Sequence, residues 1–262
     1  MTSAEALLGV LVGLAAGVLS GLFGVGGGIV MTPGIQVFVG TPPIVALATP
    51  LPAILPTALT GAFTYRQAGE VDVRAAAWIV GPGVIGSVFG AALTDVIDTH
   101  LLLVVTAVLL AWQAVSVLRG VRQRAAKTPG IPGTAGHGTP SMFVGIGLLA
   151  GFVSGLLGIG GGLVIVPMLV NLAGFPLKRA LGTSLLAIVV LVIPGTIVHA
   201  ALGHIDWAVF LVVTLGAVPG ARLGATLALG TRERTLRVLV GSFLLLVSIV
   251  YGMSEATQLL GS

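Results

Sequence analysis

Apolar blocks, most of them about as long as a membrane-crossing helix, follow one another along nearly the whole chain. Hydrophobic residues make up 56% of the 262 residues and charged residues only 8%, whereas soluble domains carry about 25% charged residues. So few charged residues provide too little polar surface to cover a globular protein of this size. The sequence therefore predicts an all-α polytopic membrane protein that folds within the lipid bilayer.

One glycine-rich sequence occurs twice in this apolar setting. The segment GLFGVGGGIV at 21–30 returns as GLLGIGGGLV at 155–164, with seven of ten positions identical and an offset of 134 residues. The same offset pairs many further glycines, and also Thr49 with Thr183, without any gap. The chain is therefore interpreted as two repeats in one integrated membrane domain. The repeats are 1–118 and 141–262, and a basic loop rich in Gly and Pro joins them at 119–140.

Each repeat contains four apolar blocks, and the first block is different from the other three. The last three blocks are each long enough for one spanning helix. The first block is too long for one helix and has the glycine segment in its middle, which predicts a glycine-broken helix pair, either re-entrant or two short spans. The blocks are 4–40, 43–65, 75–94 and 99–118 in the first repeat and 141–174, 180–202, 206–229 and 235–254 in the second.

The basic residues in the loops predict how the repeats are oriented, because Lys and Arg favour the cytoplasmic side. The loop at 119–140 holds four of them and is expected to be cytoplasmic. If the first block of the second repeat turns back to its own side, the other basic loops are cytoplasmic too and both termini lie outside. A single crossing would place five basic residues outside: Lys178, Arg179, Arg232, Arg234 and Arg237. We therefore predict inverted-topology repeats in the cytoplasmic membrane, an arrangement typical of secondary transporters.

The glycine segments are the first candidate substrate site. Irregular backbone at membrane depth is tolerated only inside protein or beside a wet cavity. A helix that starts there presents free N–H groups and the positive end of its dipole, both of which attract anions. The alternative is a tight turn with close helix packing. The predicted substrate-binding glycines are Gly26, Gly27, Gly28, Gly160, Gly161 and Gly162.

Four further residues are candidates, each with an alternative interpretation. Thr49 and Thr183 could hydrogen-bond an oxyanion, or a neighbouring helix at a helix start. Arg222 could supply charge for an anion, or extend to the cytoplasmic headgroups. His199, near the outer end of its helix, could couple protons or anchor that helix end.

Other classes of function find little support in the sequence. There is no cysteine, and all eight Asp and Glu residues lie in loops or near the ends of the blocks, which argues against thiolate metal sites and multi-carboxylate cation sites. Neither a catalytic cluster nor a nucleotide-binding motif is present, so we predict no enzyme, no metal and no cofactor. The basic residues lie mostly in short loops, which does not suggest a nucleic-acid partner.

The chain resembles the sulfite exporter TauE/SafE family of membrane permeases. The resemblance rests on SGLFGVGGGIVMTPGI (20–35), its copy SGLLGIGGGLVIVPML (154–169), ALGTSLL (180–186) and PGARLGATL (219–227). It implies movement of sulfite, a sulfonate or a related sulfur-containing organic anion across the cytoplasmic membrane. The second repeat has the family's threonine-serine pair, which adds Ser184 to the candidate site, whereas the first has Pro50 at that position.

The resulting hypothesis is a secondary transporter that moves a small anion by alternating access at a site between the two glycine-broken helices. An anion channel without coupling is the alternative. The expected partners are the anion and the lipid bilayer. A coupling ion and an oligomer are both left open.

Overall fold

The computed structural model describes residues 2–94, 108, 111–112, 114–115, 138–157 and 160–260. Most of the predicted block 99–118 and of the loop 119–140 lies outside these residues. The described part is helical and contains no strand. Its helices are α1 (Ser3–Phe23), α2 (Gly28–Gly34), α3 (Pro43–Ala48), α4 (Pro50–Gln67), α5 (Val73–Thr94), α6 (Pro140–Leu157), α7 (Gly162–Asn171), α8 (Leu177–Leu191), α9 (Ile193–Ala201), α10 (Trp207–Gly230) and α11 (Glu233–Leu260), and a π-helical segment (Ile35–Val39) continues α2.

Five helical segments of the described part are long and apolar enough to cross a membrane. Their length and composition confirm the prediction of an all-α, multi-pass membrane protein. The five segments are Ser3–Phe23, Ile44–Gln67, Val73–Gly90, Leu177–Ala201 and Trp207–Gly230.

The first block of each repeat is a helix, a glycine break and a shorter returning arm. With 21 residues, α1 is about 31 Å long, close to the hydrocarbon thickness of about 30 Å. The arm Gly28–Val39 has 12 residues and α7 has 10, so the arms are only about 18 Å and 15 Å long. Such arms are too short to cross straight through the bilayer, which favours the re-entrant form of the helix pair.

Glycines let α1 pack directly on α10, a helix of the other repeat. A Cβ on Gly13 or Gly17 of α1 would overlap a backbone carbonyl oxygen of α10, at Val213 and Ala217 respectively. The 134-residue offset reproduces this contact between α6 and α5, where a Cβ on Gly151 would overlap the carbonyl oxygen of Gly83. The first helix of each repeat thus packs on the third spanning helix of the other repeat, by small-residue contacts typical of membrane helices.

Helix α4 of the first repeat packs against α8 and α9 of the second repeat, and the two segments run in opposite directions. A Cβ on Gly61 of α4 would lie 2.8 Å from Leu185 of α8, and a Cβ on Gly195 of α9 would lie 3.5 Å from Leu51 of α4. The 134-residue offset converts each contact into the other, because Gly61 corresponds to Gly195 and Leu51 to Leu185. Along α4 the residue numbers rise from 51 to 61, while those of the contacted residues fall from 195 to 185. The equivalent segments α4 and α8–α9 therefore run antiparallel, while the inverted orientation of the whole repeats and the membrane side of each loop stay predictions.

Candidate functional site

The two glycine breaks meet in the interior of the protein. A Cβ on Gly26 or on Gly160 would lie 3.3 Å from the same atom, Cγ2 of Ile188. A Cβ on Gly162 would lie 2.8 Å from Cα of Val25 in the first break, and all of these glycines are buried. The sequence predicts that the two breaks face each other. In the structure, the backbones of the two repeats are in contact at this point.

The contact between the breaks lies near the middle of the spanning helices. Ile54 and Ile188 are equivalent under the offset, are fully buried, and both border Gly26. Ile54 is the eleventh of the 24 residues of Ile44–Gln67, and Ile188 is the twelfth of the 25 residues of Leu177–Ala201. The breaks are therefore at mid-depth, where two isoleucines fill the space beside them.

Glycine is required at the breaks by the backbone conformation itself. Gly26 and Gly27 have φ of 87° and 84°, and Gly160 and Gly161 have φ of 90° and 74°, values at which a Cβ is strained. Gly27 precedes α2 and Gly161 precedes α7, so each short helix begins at the meeting point. The first amides of α2 and α7 have no acceptor within their own helix, which leaves donors available there.

Ser184 links the second repeat to the first break. Its Oγ donates a hydrogen bond to the carbonyl oxygen of Gly24 at 2.9 Å, and the side chain is fully buried. Pro50 occupies the equivalent position of the first repeat and has no hydroxyl. Of the predicted polar side chains, Ser184 is the one that the structure brings to a glycine break.

The hydroxyls of Thr49, between α3 and α4, and of Thr183, inside α8, bind loops of the other repeat instead. The Oγ1 of Thr183 accepts a hydrogen bond from the backbone N–H of Asp72 at 2.9 Å, and that of Thr49 accepts one from Asp206 at 3.1 Å. Asp72 and Asp206 are equivalent under the offset, and their carboxylates cap α5 and α10. Each threonine thus holds the loop of the other repeat, which corresponds to the helix-contact interpretation of its hydroxyl.

Arg222 is exposed on the surface of α10. The face of α10 that packs on α1 is formed by small buried residues such as Ala217, Gly220 and Ala221. Arg222 points away from that face, so the structure does not bring it to the breaks. Its position corresponds to the headgroup interpretation, because its long side chain can follow the protein surface towards the membrane interface.

His199 borders a small cavity at the opposite end of the helices from Arg179. The cavity has a volume of about 10 Å³, and its polar lining includes Ser87, Ser154 and His199. Nδ1 of His199 lies 3.2 Å from Nδ1 of His204, a hydrogen-bond distance for which one ring must carry the proton. We call this region the His199 end.

The other end, here called the Arg179 end, is held by ionic and polar contacts. Arg179 pairs with the Asp72 carboxylate at 2.8 Å, and its guanidinium lies 5.6 Å from the ring centre of Phe175. Lys178 donates to the carbonyl oxygen of Leu229 at 2.5 Å. These contacts join α8 to a loop of the first repeat and to the end of α10.

Two further residues at the breaks were not among the predicted site residues. Ser20 is buried beside Gly27, and its Oγ has no hydrogen-bond partner in the described structure. Tyr65 is fully buried and donates to the carbonyl oxygen of Gly21 at 2.9 Å. The sequence repeat could have pointed to both residues, because Ser20 is equivalent to Ser154 and Tyr65 is equivalent to His199. The described part of the chain contains no group of three His, Asp or Glu side chains placed to hold a metal ion.

Comparison with known proteins agrees with this architecture. The family model described as sulfite exporter TauE/SafE matches residues 9–251. A probable membrane transporter protein of Bacillus subtilis, YunE, is 29% identical over 91% of this chain and 94% of its own length. A probable membrane transporter protein of Xylella fastidiosa is 32% identical over 84% of this chain and 82% of its own length. No solved structure matches the chain. The family and these relatives are membrane transporters rather than enzymes, and the chain belongs to the sulfite exporter TauE/SafE family.

Proposed function

We propose that the protein is a secondary transporter for a small anion, namely sulfite, a sulfonate or a related sulfur-containing organic anion. The observation that carries the proposal is the meeting of the two glycine breaks at mid-depth, with α2 and α7 both starting there. Discontinuous helices at matching positions of two repeats are typical of transporter substrate sites. The description of the matching family model supports the class of substrate.

The proposed site recognises an oxyanion through backbone and hydroxyl donors. The glycines Gly26 to Gly28 and Gly160 to Gly162 let the substrate approach the first amides of α2 and α7 without a Cβ in the way. Ser20 supplies a hydroxyl at the first break. Ser184 orders this break by donating its one proton to the Gly24 carbonyl oxygen, and it binds the anion only when that hydrogen bond is released.

The other predicted residues have supporting roles in this proposal. Thr49 and Thr183 join the repeats at the loops, and Arg222 anchors α10 at the headgroups. His199 carries a coupling proton at its end of the pathway. We place the loop 119–140 in the cytoplasm and both termini outside, so that the Arg179 end is cytoplasmic and the His199 end is external.

Transport by alternating access fits the closed site better than a channel does. The glycines of both breaks are buried, and Ile54 and Ile188 fill the space beside them. An anion can therefore enter only if the repeats move relative to each other. A channel would instead conduct through a continuous pore.

The decisive experiment compares uptake by proteoliposomes for two glycine variants. Gly26→Ala adds a Cβ 3.2 Å from Ile54 at a φ of 87°, whereas Gly40→Ala adds one in open space at a φ of 73°. Both variants place a Cβ at a positive φ, and only Gly26→Ala also crowds the site. We expect saturable uptake of ³⁵S-labelled sulfite by the wild type and by Gly40→Ala, and loss of it in Gly26→Ala. Equal uptake by both variants would remove the breaks from the site, and current in planar bilayers without saturable uptake would indicate a channel.

A further inference from the structure

The two repeats differ sharply at one pair of equivalent positions, occupied by Tyr65 in the first repeat and His199 in the second. We propose that these residues are the two gates of the substrate pathway. Tyr65 closes the pathway at the Arg179 end, and the cavity beside His199 is the entrance from the opposite end. This inference rests on the proposed transport function and adds the residues that control access to its site.

Tyr65 fills the space between α1 and the second repeat. Its ring is fully buried, and its hydroxyl donates to the carbonyl oxygen of Gly21, three residues before the first break. A Cβ on Gly182 of α8 would lie 2.6 Å from Cβ of Tyr65, so the lack of a side chain at Gly182 makes room for the tyrosine. The tyrosine thus connects three helices directly beside the break.

The equivalent space at the His199 end is only partly filled. Gly155, which matches Gly21, lines the 10 Å³ cavity together with His199, Ser154 and Ser87. That volume is near the lower limit for one water molecule. Ser87 of the first repeat adds a hydroxyl at the His199 end that the Tyr65 end lacks, because Ala221 occupies the matching position in the second repeat. A ring smaller than tyrosine therefore leaves a small cavity beside Ser154, which the Ser87 hydroxyl and several apolar side chains also line.

Contacts beyond the gates have the same asymmetry. The Arg179–Asp72 ion pair links the two repeats at the end that Tyr65 closes. At the opposite end the position equivalent to Arg179 is Val45, so Asp206, the counterpart of Asp72, cannot form the matching pair. The Thr49–Asp206 hydrogen bond there is the counterpart of the Thr183–Asp72 bond, so the ion pair is the contact in which the two ends differ. The Arg179 end therefore has an ion pair between the repeats that Val45 cannot provide at the His199 end.

The absence of cysteine from the native chain allows a direct test. Ser154→Cys and Ser20→Cys place single thiols at equivalent positions, both less than 4% exposed. Each protein is reconstituted in nanodiscs, where both faces are accessible, and is labelled with 2-sulfonatoethyl methanethiosulfonate, a small anionic probe. We expect Ser154→Cys to react at least tenfold faster than Ser20→Cys. Equal rates would overturn the proposal.

Gate variants complete the test in the same cysteine backgrounds. Tyr65→Ala should accelerate labelling of Ser20→Cys at least tenfold, and His199→Tyr should slow labelling of Ser154→Cys. Tyr65→Phe keeps the ring and removes only the bond to Gly21, so a smaller acceleration is expected even if the alanine variant folds poorly. An unchanged Ser20→Cys rate in both Tyr65 variants would exclude Tyr65 as a gate. Labelling requires no substrate. A labelling result that rejects the gates is therefore distinguishable from an absence of uptake, which would reject the transport function.

Discussion

Replacing Ser184 with alanine is expected to weaken both the fold and transport. The variant removes a buried hydroxyl that donates to the Gly24 carbonyl oxygen at 2.9 Å. Leaving a buried acceptor unpaired costs about 1–3 kcal/mol, but hydrogen bonds between membrane helices average only about 0.6 kcal/mol because the unfolded state in the membrane also finds partners. We therefore expect a loss of about 1 kcal/mol in the free energy of unfolding.

Thermal unfolding in detergent measures this loss. For a chain of this size, 1 kcal/mol corresponds to a decrease of about 2–4 °C in the melting temperature. Thr226→Ala is the matched control, because it removes an exposed hydroxyl bound to the carbonyl oxygen of Arg222 at 2.8 Å. Ser184→Thr, which retains the hydroxyl, should recover part of the loss.

Uptake of labelled sulfite separates a structural role of Ser184 from a role in binding. If the hydroxyl also orders the first break around the anion, Ser184→Ala should raise the KM for uptake at least fivefold, while Thr226→Ala leaves it unchanged. A Ser184→Ala protein with wild-type melting temperature and wild-type KM would refute the reasoning.

Three further predictions concern packing, charge and coupling. Gly17→Ala pushes a Cβ against α10 and should lower stability by about 1–3 kcal/mol in a chemical-denaturation assay, whereas Gly145→Ala, with nothing within 4 Å, should not. Arg222→Gln should leave the KM for uptake unchanged, because Arg222 is exposed away from the breaks. Loss of saturable uptake would instead indicate that Arg222 contributes to the binding site. His199→Gln should abolish stimulation of uptake by a pH gradient but retain exchange of labelled for unlabelled substrate at equilibrium, and a retained stimulation would contradict proton coupling at this residue.

The meeting of the breaks could be predicted because two independent patterns agreed on it. The 134-residue offset made the glycine segments equivalent, and the loop charges indicated that they enter from opposite faces. Two equivalent segments that enter from opposite faces are expected to approach each other within the membrane. The contacts of Gly26, Gly160 and Gly162 match that expectation.

Side-chain partners were harder to predict, because equivalence under the offset does not say what a residue touches. Thr49 and Thr183 are paired in the sequence, but the partners of their hydroxyls are backbone N–H groups of loops far along the chain. Arg222 lies inside an apolar block, and only the face of α10 that packs on α1 determines that it points outwards. Tyr65 was visible as the counterpart of His199, yet its contact with Gly21 depends on the packing of α1 and α4.

In the proposed cycle, the reciprocal threonine bonds would couple the two gates. Thr183 holds the Asp72 loop beside Tyr65, and Thr49 holds the Asp206 loop near His199, so each bond joins one repeat to the other. Movement of one repeat against the other about the central isoleucines would strain one of these bonds and relieve its counterpart. Because the Arg179–Asp72 pair adds to only one of the two contacts, we expect the proposed cycle to favour closure at the Arg179 end. Substrate binding must then supply the differential free energy that opens it.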